Sequence, residues 1–219
     1  MGTGSKPVII ALDGRSGTGK THLSLELAEW LRSGGYKGGR ISGAGCSGKE
    51  YSVDVLHLDE LYPGWDGLHT GLETYTQKLL PTLARDGRAT WTPWNWHTSR
   101  HDAPRALGPA DVIIIEGVGA GHPDARPYLA GTLTLTLDTA TRKQRALTRD
   151  GATYAPHWDT WAAQEEQLPT ATDRPTDITI SARSSTDVDD NSTEVLTQAQ
   201  TWLRTLLRSA SQRATARPQ

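Results

Sequence analysis

Apolar and polar positions along this chain alternate between two rhythms. Val8, Ile9 and Ile10 open the run V-I-I-A-L-D, which has no polar break before Asp13 and predicts a strand buried on both faces. After a short Gly-rich turn, Leu23, Leu25, Leu27, Ala28 and Leu31 recur at helical spacing, predicting a helix over about 21–32. The sequence then predicts a strand over 53–58 and a helix over 72–84, with Pro81 as a candidate kink. Strands over 111–117 and 133–138 precede a short helix over 140–149 and a second helix over 156–168. A last strand over 176–180 leads to an amphipathic helix over 194–207, with Val195, Ala199, Trp202, Leu203 and Leu206 on one face. Trp91, Trp94 and Trp96 alternate with polar residues across 90–101, as in a β-hairpin flanking a sheet. Strands that are apolar throughout, alternating with helices, imply an α/β fold: a parallel sheet with helices on both faces.

Two stretches lack either rhythm. Residues 33–51 hold seven glycines and read as a flexible insertion, in which Cys46 is a loop thiol. Residues 209–219 read as a disordered, weakly basic tail. No linker divides the rest, so 1–208 is predicted as a single domain.

The first turn carries the strongest chemical signal. Gly14-Arg15-Ser16-Gly17-Thr18-Gly19-Lys20-Thr21 fits G-x-x-x-x-G-K-[ST] and lies between a predicted strand and a predicted helix, the context this phosphate-binding loop (P-loop) requires. Its glycines let successive N–H groups turn toward phosphate oxygens, and the helix N-terminus adds partial positive charge. Lys20 offers a full charge to the β- and γ-phosphates, and the Thr21 hydroxyl a ligand for Mg²⁺. In a parallel sheet the ligand sits at the carboxyl ends of the strands, which gathers Asp13, Asp59 and Glu116 at the rim of this loop.

Composition narrows the picture further. The 219 residues suit one α/β domain, and the net charge of −2 argues against nucleic acid as a partner. The single cysteine excludes an internal disulfide and fits a reducing cytoplasm. Residues 1–7 are short and polar, so no signal peptide is expected, and no apolar run is long enough for a membrane span. Arginine-dominated basic residues, eight tryptophans and no phenylalanine are read as the composition of a GC-rich bacterial genome.

Beyond the phosphate loop, L-D-E-L-Y at 58–62, I-I-I-E-G at 113–117 and D-T-A-T-R-K-Q-R-A-L-T-R-D at 138–150 follow in fixed order. Together they resemble the uridine kinase-like P-loop kinases across about residues 8–180. Y-P-G-W-D-G-L at 62–68 and E-G-V-G-A-G at 116–121 are similar to an actinobacterial branch of that family. The resemblance implies a P-loop NTPase fold, ATP and Mg²⁺ as cofactors, and a nucleoside-like small molecule as acceptor. It implies that Gly14, Arg15, Ser16, Gly17, Thr18, Gly19, Lys20 and Thr21 bind the nucleotide, with Thr21 and Glu116 in the magnesium shell. Asp59 matches the residue that takes the proton of the acceptor hydroxyl, and Tyr62 the aromatic near the acceptor. Arg142, Arg145 and Arg149 match lid arginines that close over the transferring phosphate, Arg149 on the nucleotide side, and 140–150 is the lid. Trp94-Asn95-Trp96 stands where the family has Tyr-Asp-Phe, and Ser99-Arg100 follows as in the family. Trp94, Trp96, His97 and Arg100 are therefore expected on the acceptor side, although neither His97 nor His101 matches the family's base-reading histidine. The Asp-to-Asn change bears on which acceptor is taken.

Several roles stay open from the residues alone. Asp13 either orients a magnesium-bound water or braces the loop, and Glu116 and Asp59 can exchange roles. Trp94 and Trp96 suit either stacking on a flat acceptor or core packing; Trp158, Trp161 and Trp202 suit the core. Glu165 and Glu166 read as a solvated helix face, and His57 as a packed histidine. The overall reading is an ATP- and Mg²⁺-dependent small-molecule kinase, with a homo-oligomer left open. A nucleoside monophosphate kinase is the alternative, for which only Arg100 and Arg105 offer cations. A non-catalytic ATP-binding sensor is the rival from outside enzymes. No N-K-x-D guanine reader and no L-S-G-G-Q signature is present.

Overall fold

A computed structural model describes residues 6–35, 49–182 and 188–215. Of the glycine-rich stretch predicted over 33–51, residues 36–48, including Cys46, lie outside the described residues, as do 216–219 of the predicted tail.

Five parallel strands form the central sheet. β1 (Val8–Asp13) lies in the middle; on one side are β7 (Val112–Glu116) and then β2 (Val53–His57), on the other β8 (Gly131–Thr136) and then β9 (Ile178–Ser181). Alternation sends Ile9, Ala11, Ile113 and Ile115 into one core, and Ile10, Leu12, Val112 and Ile114 into the other. That division explains why the sequence of β1 and β7 carries almost no polar residue: neither face meets water. α1 (Lys20–Arg32) and α6 (Val188–Thr215) supply Leu27, Leu31, Trp202, Leu203 and Leu206 to the second core. Helical segments over Leu68–Asp86 and the two helices of the lid cover the first core.

Three local features differ from expectation. The helix predicted over 72–84 is one continuous rod made of α2 (Leu68–Glu73), a π-helical stretch (Thr74–Leu79) and α3 (Leu80–Asp86). Pro81 has no N–H to donate and its ring crowds the carbonyl of the preceding turn; widening that turn to the π form accommodates it without a break. The Trp segment is a doubled hairpin. β3 (Ala89–Trp91) pairs with β6 (Arg105–Leu107), and β4 (Trp94–Asn95) with β5 (Arg100–His101), all antiparallel. The last helix extends to Thr215, so 209–215 is not the disordered tail expected. Ala210, Gln212 and Arg213 are good helix formers and carry it past the last apolar contact.

The segment expected as the lid, 140–150, lies within α4 (Thr139–Tyr154), which a 3₁₀ turn (Ala155–His157) joins to α5 (Trp158–Glu166). Asp138 caps α4 by accepting the Thr141 N–H at 2.9 Å. Gly151 interrupts α4 with φ 51° and ψ −130°, a conformation suited to glycine, and turns the chain toward α5.

Candidate active site

The phosphate loop joins β1 to α1 as its motif requires. Gly14, Gly17 and Gly19 all take positive φ, at 139°, 83° and 98°. The loop is closed on itself: Lys20 Nζ donates to the Arg15 carbonyl at 3.2 Å, and the Thr18 hydroxyl donates to the same carbonyl at 2.9 Å. Lys20 is buried while Gly19 and Thr21 are exposed, so the charge lies under the loop opening.

Asp13 braces this loop. Its Oδ1 accepts the N–H groups of Gly14 at 2.6 Å and Gly119 at 2.9 Å, and its Oδ2 that of Gly121 at 2.9 Å. Both oxygens are engaged by backbone, the arrangement the brace reading expects. Asp13→Asn would set an amide NH₂ against a backbone N–H. It is expected to cost about 2 kcal/mol, read as a melting temperature lower by about 4–8 °C.

Glu116, at the end of β7, is buried and sits between two donors. The Thr21 hydroxyl donates to its Oε1 at 3.0 Å, and His57 Nδ1 lies 2.6 Å from the same atom. This hydrogen bond to Glu116 holds the His57 imidazole above its ordinary pKa, against the opposing effect of burial. His57 is thus a partner of Glu116 rather than a packed core histidine. Thr21 and Glu116 bring two hard oxygens together from two elements, a donor set that suits Mg²⁺ completed by phosphate and water. Among the described residues no group of three or more His, Cys, Asp or Glu side chains could hold a metal ion, so protein donors alone make no complete shell.

Asp59 lies in the 3₁₀ turn Leu58–Leu61 that follows β2. Its surface is exposed to solvent, while protein is packed around the rest of it. Its carboxyl is held above the usual aspartate range, first by desolvation and then by the charge of Glu116, while Lys20, Arg149 and His57 pull it down. Asp59 therefore shares one electrostatic field with Lys20 and Arg149.

The remaining residues expected on the acceptor side divide. Tyr62, expected near the acceptor, is fully buried and donates its hydroxyl to the Val118 carbonyl at 2.7 Å. The Trp96 indole N–H donates to the Asp59 carbonyl at 2.9 Å, tying the hairpin to the turn that carries Asp59. Trp94 packs edge-on against His101, while His97 and Arg100 are exposed. Asn95 is used locally: its Oδ1 accepts the N–H groups of His97 and Thr98, and its Nδ2 donates to Asp102. An aspartate there would face Asp102 with like charge, a local reason for the departure from Tyr-Asp-Phe. Glu60 accepts from the Trp91 indole at 3.0 Å and from Arg105 at 2.6 Å, so Arg105 is not free for a second phosphate.

The three arginines expected in the lid also differ from one another. Arg149 is half-exposed, paired with Asp150, and acts electrostatically on Asp59. Arg145 is exposed. Arg142 is buried, donating to the Ser16 carbonyl at 3.0 Å and to Thr139 at 3.3 Å. Its guanidinium is held against the loop backbone at Ser16.

Two features escaped the sequence reading. Glu165 is buried, not solvated, and its Oε1 accepts the Ser16 N–H at 2.9 Å. Its signal was its spacing: it falls seven residues after Trp158 and four after Trp161, on their buried stripe. Trp65 stacks on His157 at 4.6 Å and on Tyr154 at 5.0 Å, and tilts against Trp96 at 4.7 Å. This cluster fastens the lid to the hairpin; lying in a turn, Trp65 has no periodicity to betray it.

No protein-family model matches the chain, and no curated protein matches it. Solved structures do. A protein described as a fructose transport system kinase from Silicibacter sp. TM1040 is 19% identical, with a TM-score of 0.56 over 80% of this chain and 90% of that one. A protein described as a possible uridine kinase from Bacillus stearothermophilus is 23% identical, with a TM-score of 0.49 over 77% and 90%. The likeness to the first extends to the fold: the chain is an α/β protein with a parallel five-stranded sheet.

Proposed function

We propose that this protein is an ATP- and Mg²⁺-dependent kinase that transfers the γ-phosphate of ATP to a hydroxyl group of a small neutral molecule, of nucleoside-like type. The observation that carries the reading is the pairing of a phosphate loop with Asp59, a carboxylate with a raised pKa in the field of Lys20 and Arg149. Asp59 accepts the proton as the acceptor oxygen bonds to phosphorus and the bond from phosphorus to the β-phosphate oxygen breaks. Gly17, Gly19, Lys20 and Thr21 cradle the phosphates, and Arg149, with Arg145 beside it, offsets charge on the transferring group. Mg²⁺, held by Thr21 and Glu116, would supply charge neutralisation at the phosphates.

A neutral acceptor is favoured over a monophosphate. Asp59 would repel an acceptor phosphate, and Arg105, one of two candidate cations for it, is committed to Glu60. The test is γ-labelled ATP with Mg²⁺ against nucleosides, sugars and nucleoside monophosphates. Label is expected on a neutral alcohol; transfer confined to monophosphates rejects the acceptor assignment, and ATP binding without any transfer favours a sensor.

A further inference from the structure

The lid grips one residue of the phosphate loop at every polar group it has. The Ser16 N–H donates to Glu165 Oε1 at 2.9 Å, and its carbonyl accepts from Arg142 at 3.0 Å. Its hydroxyl accepts the Trp161 indole N–H at 3.0 Å and is also hydrogen-bonded to Tyr154. Glu165 closes the circuit: Oε1 also takes the Trp161 indole N–H at 3.0 Å, and Oε2 lies 3.6 Å from Arg142. Both charged side chains are nine-tenths buried or more, so each depends on the other for its charge. Next to Ser16, Gly17 packs against the backbone of α4 so closely that an added Cβ would lie 2.2 Å from the Arg142 carbonyl oxygen. The crown of the loop and the first turn of α4 are therefore in direct contact, with Glu165 of α5 locking them.

We infer that Glu165 is a positioning residue of the nucleotide site. It sets the Ser16 peptide and Arg142 in one arrangement, so the loop meets the phosphates already ordered. The inference rests on the reading of this loop as a nucleotide site and assigns a role to a side chain that touches no substrate. Pre-ordering lowers the entropic cost of binding, so its loss falls on nucleotide affinity before anything else. Gln at 165 can still accept from Ser16 and Trp161 through its amide oxygen, but it brings no charge to Arg142.

The experiment is calorimetric titration of wild type, Glu165→Gln and Glu165→Ala with Mg-ADP, together with melting curves and KM values for ATP and for acceptor. Glu165→Ala is expected to weaken Mg-ADP by about tenfold or more and to raise the KM for ATP while leaving that for acceptor unchanged. Glu165→Gln should fall between, at about threefold to tenfold, and decides the matter if the alanine variant does not fold. A lowered melting temperature with unchanged Mg-ADP affinity in the folded variants makes Glu165 purely structural and overturns the inference alone. A wild type that binds no Mg-ADP overturns the kinase reading, and this inference with it.

Discussion

Replacing Asp59 with asparagine is expected to lower phosphoryl transfer by about 10²–10⁴-fold while leaving the ATP dissociation constant within about a factor of two. Asparagine keeps the shape and loses the ability to take a proton. The pH dependence follows from the environment of the carboxyl. Burial and Glu116 hold its pKa above the ordinary aspartate value, so kcat/KM in the wild type should fall with decreasing pH at a higher pH than an exposed aspartate would give. Stability should move the other way. A carboxyl with a raised folded-state pKa costs the fold nothing below the unfolded pKa; it costs most above the folded pKa, where it is ionised. Asp59→Asn should therefore melt higher than wild type at pH 7, and the gap should close below about pH 4. A variant that gains stability and loses transfer marks a carboxylate kept for chemistry. Unchanged transfer would remove Asp59 from the acceptor role.

The fold was legible because its central strands leave no ambiguity. V-I-I-A-L-D and V-I-I-I-E are apolar on both alternating faces, which only a sheet covered on two sides accommodates, and the first runs straight into the phosphate loop. The strand order was not legible from pattern, because β7 reaches its place beside β1 only after the chain has made β2 and the doubled hairpin. At the candidate site, residues placed by backbone geometry read well. The loop and the two strand-end carboxylates fall where a parallel sheet puts them. Side-chain partners read poorly. Arg142 and Arg149 lie seven residues apart on one face of α4, yet one is buried against Ser16 and the other lies half-exposed in the field of Asp59. Helical spacing gives the face and not the neighbour. Tyr62 shows the same limit: the resemblance places an aromatic near the acceptor, but its hydroxyl is held by the Val118 carbonyl in the core. Glu165 sits within Q-E-E-Q, whose polarity suggests solvent unless the two upstream tryptophans are read as fixing a buried stripe.

Lys20→Met is the sharper test of the loop, because the loop should survive it. Lys20 Nζ caps the Arg15 carbonyl, but that oxygen also accepts the Thr18 hydroxyl at 2.9 Å and the Thr18 N–H at 3.3 Å. Methionine keeps the buried aliphatic stem, so the melting temperature should change little. The lost charge should weaken ATP by about 10–100-fold and lower transfer by a further factor of about 10²–10³, since the ammonium acts most where charge develops on the transferring phosphate. The loss of charge is also felt at Asp59. Lys20 is the first of the charges that pull the Asp59 pKa down. Without it, that pKa rises further, and the acid limb of the residual activity should move to higher pH than in the wild type. The shift separates two arrangements that a rate loss alone does not. If loop and carboxylate face one another across a single acceptor, the limb moves. If it stays where the wild type has it, Asp59 does not feel the loop during turnover, and the proton must go to another group.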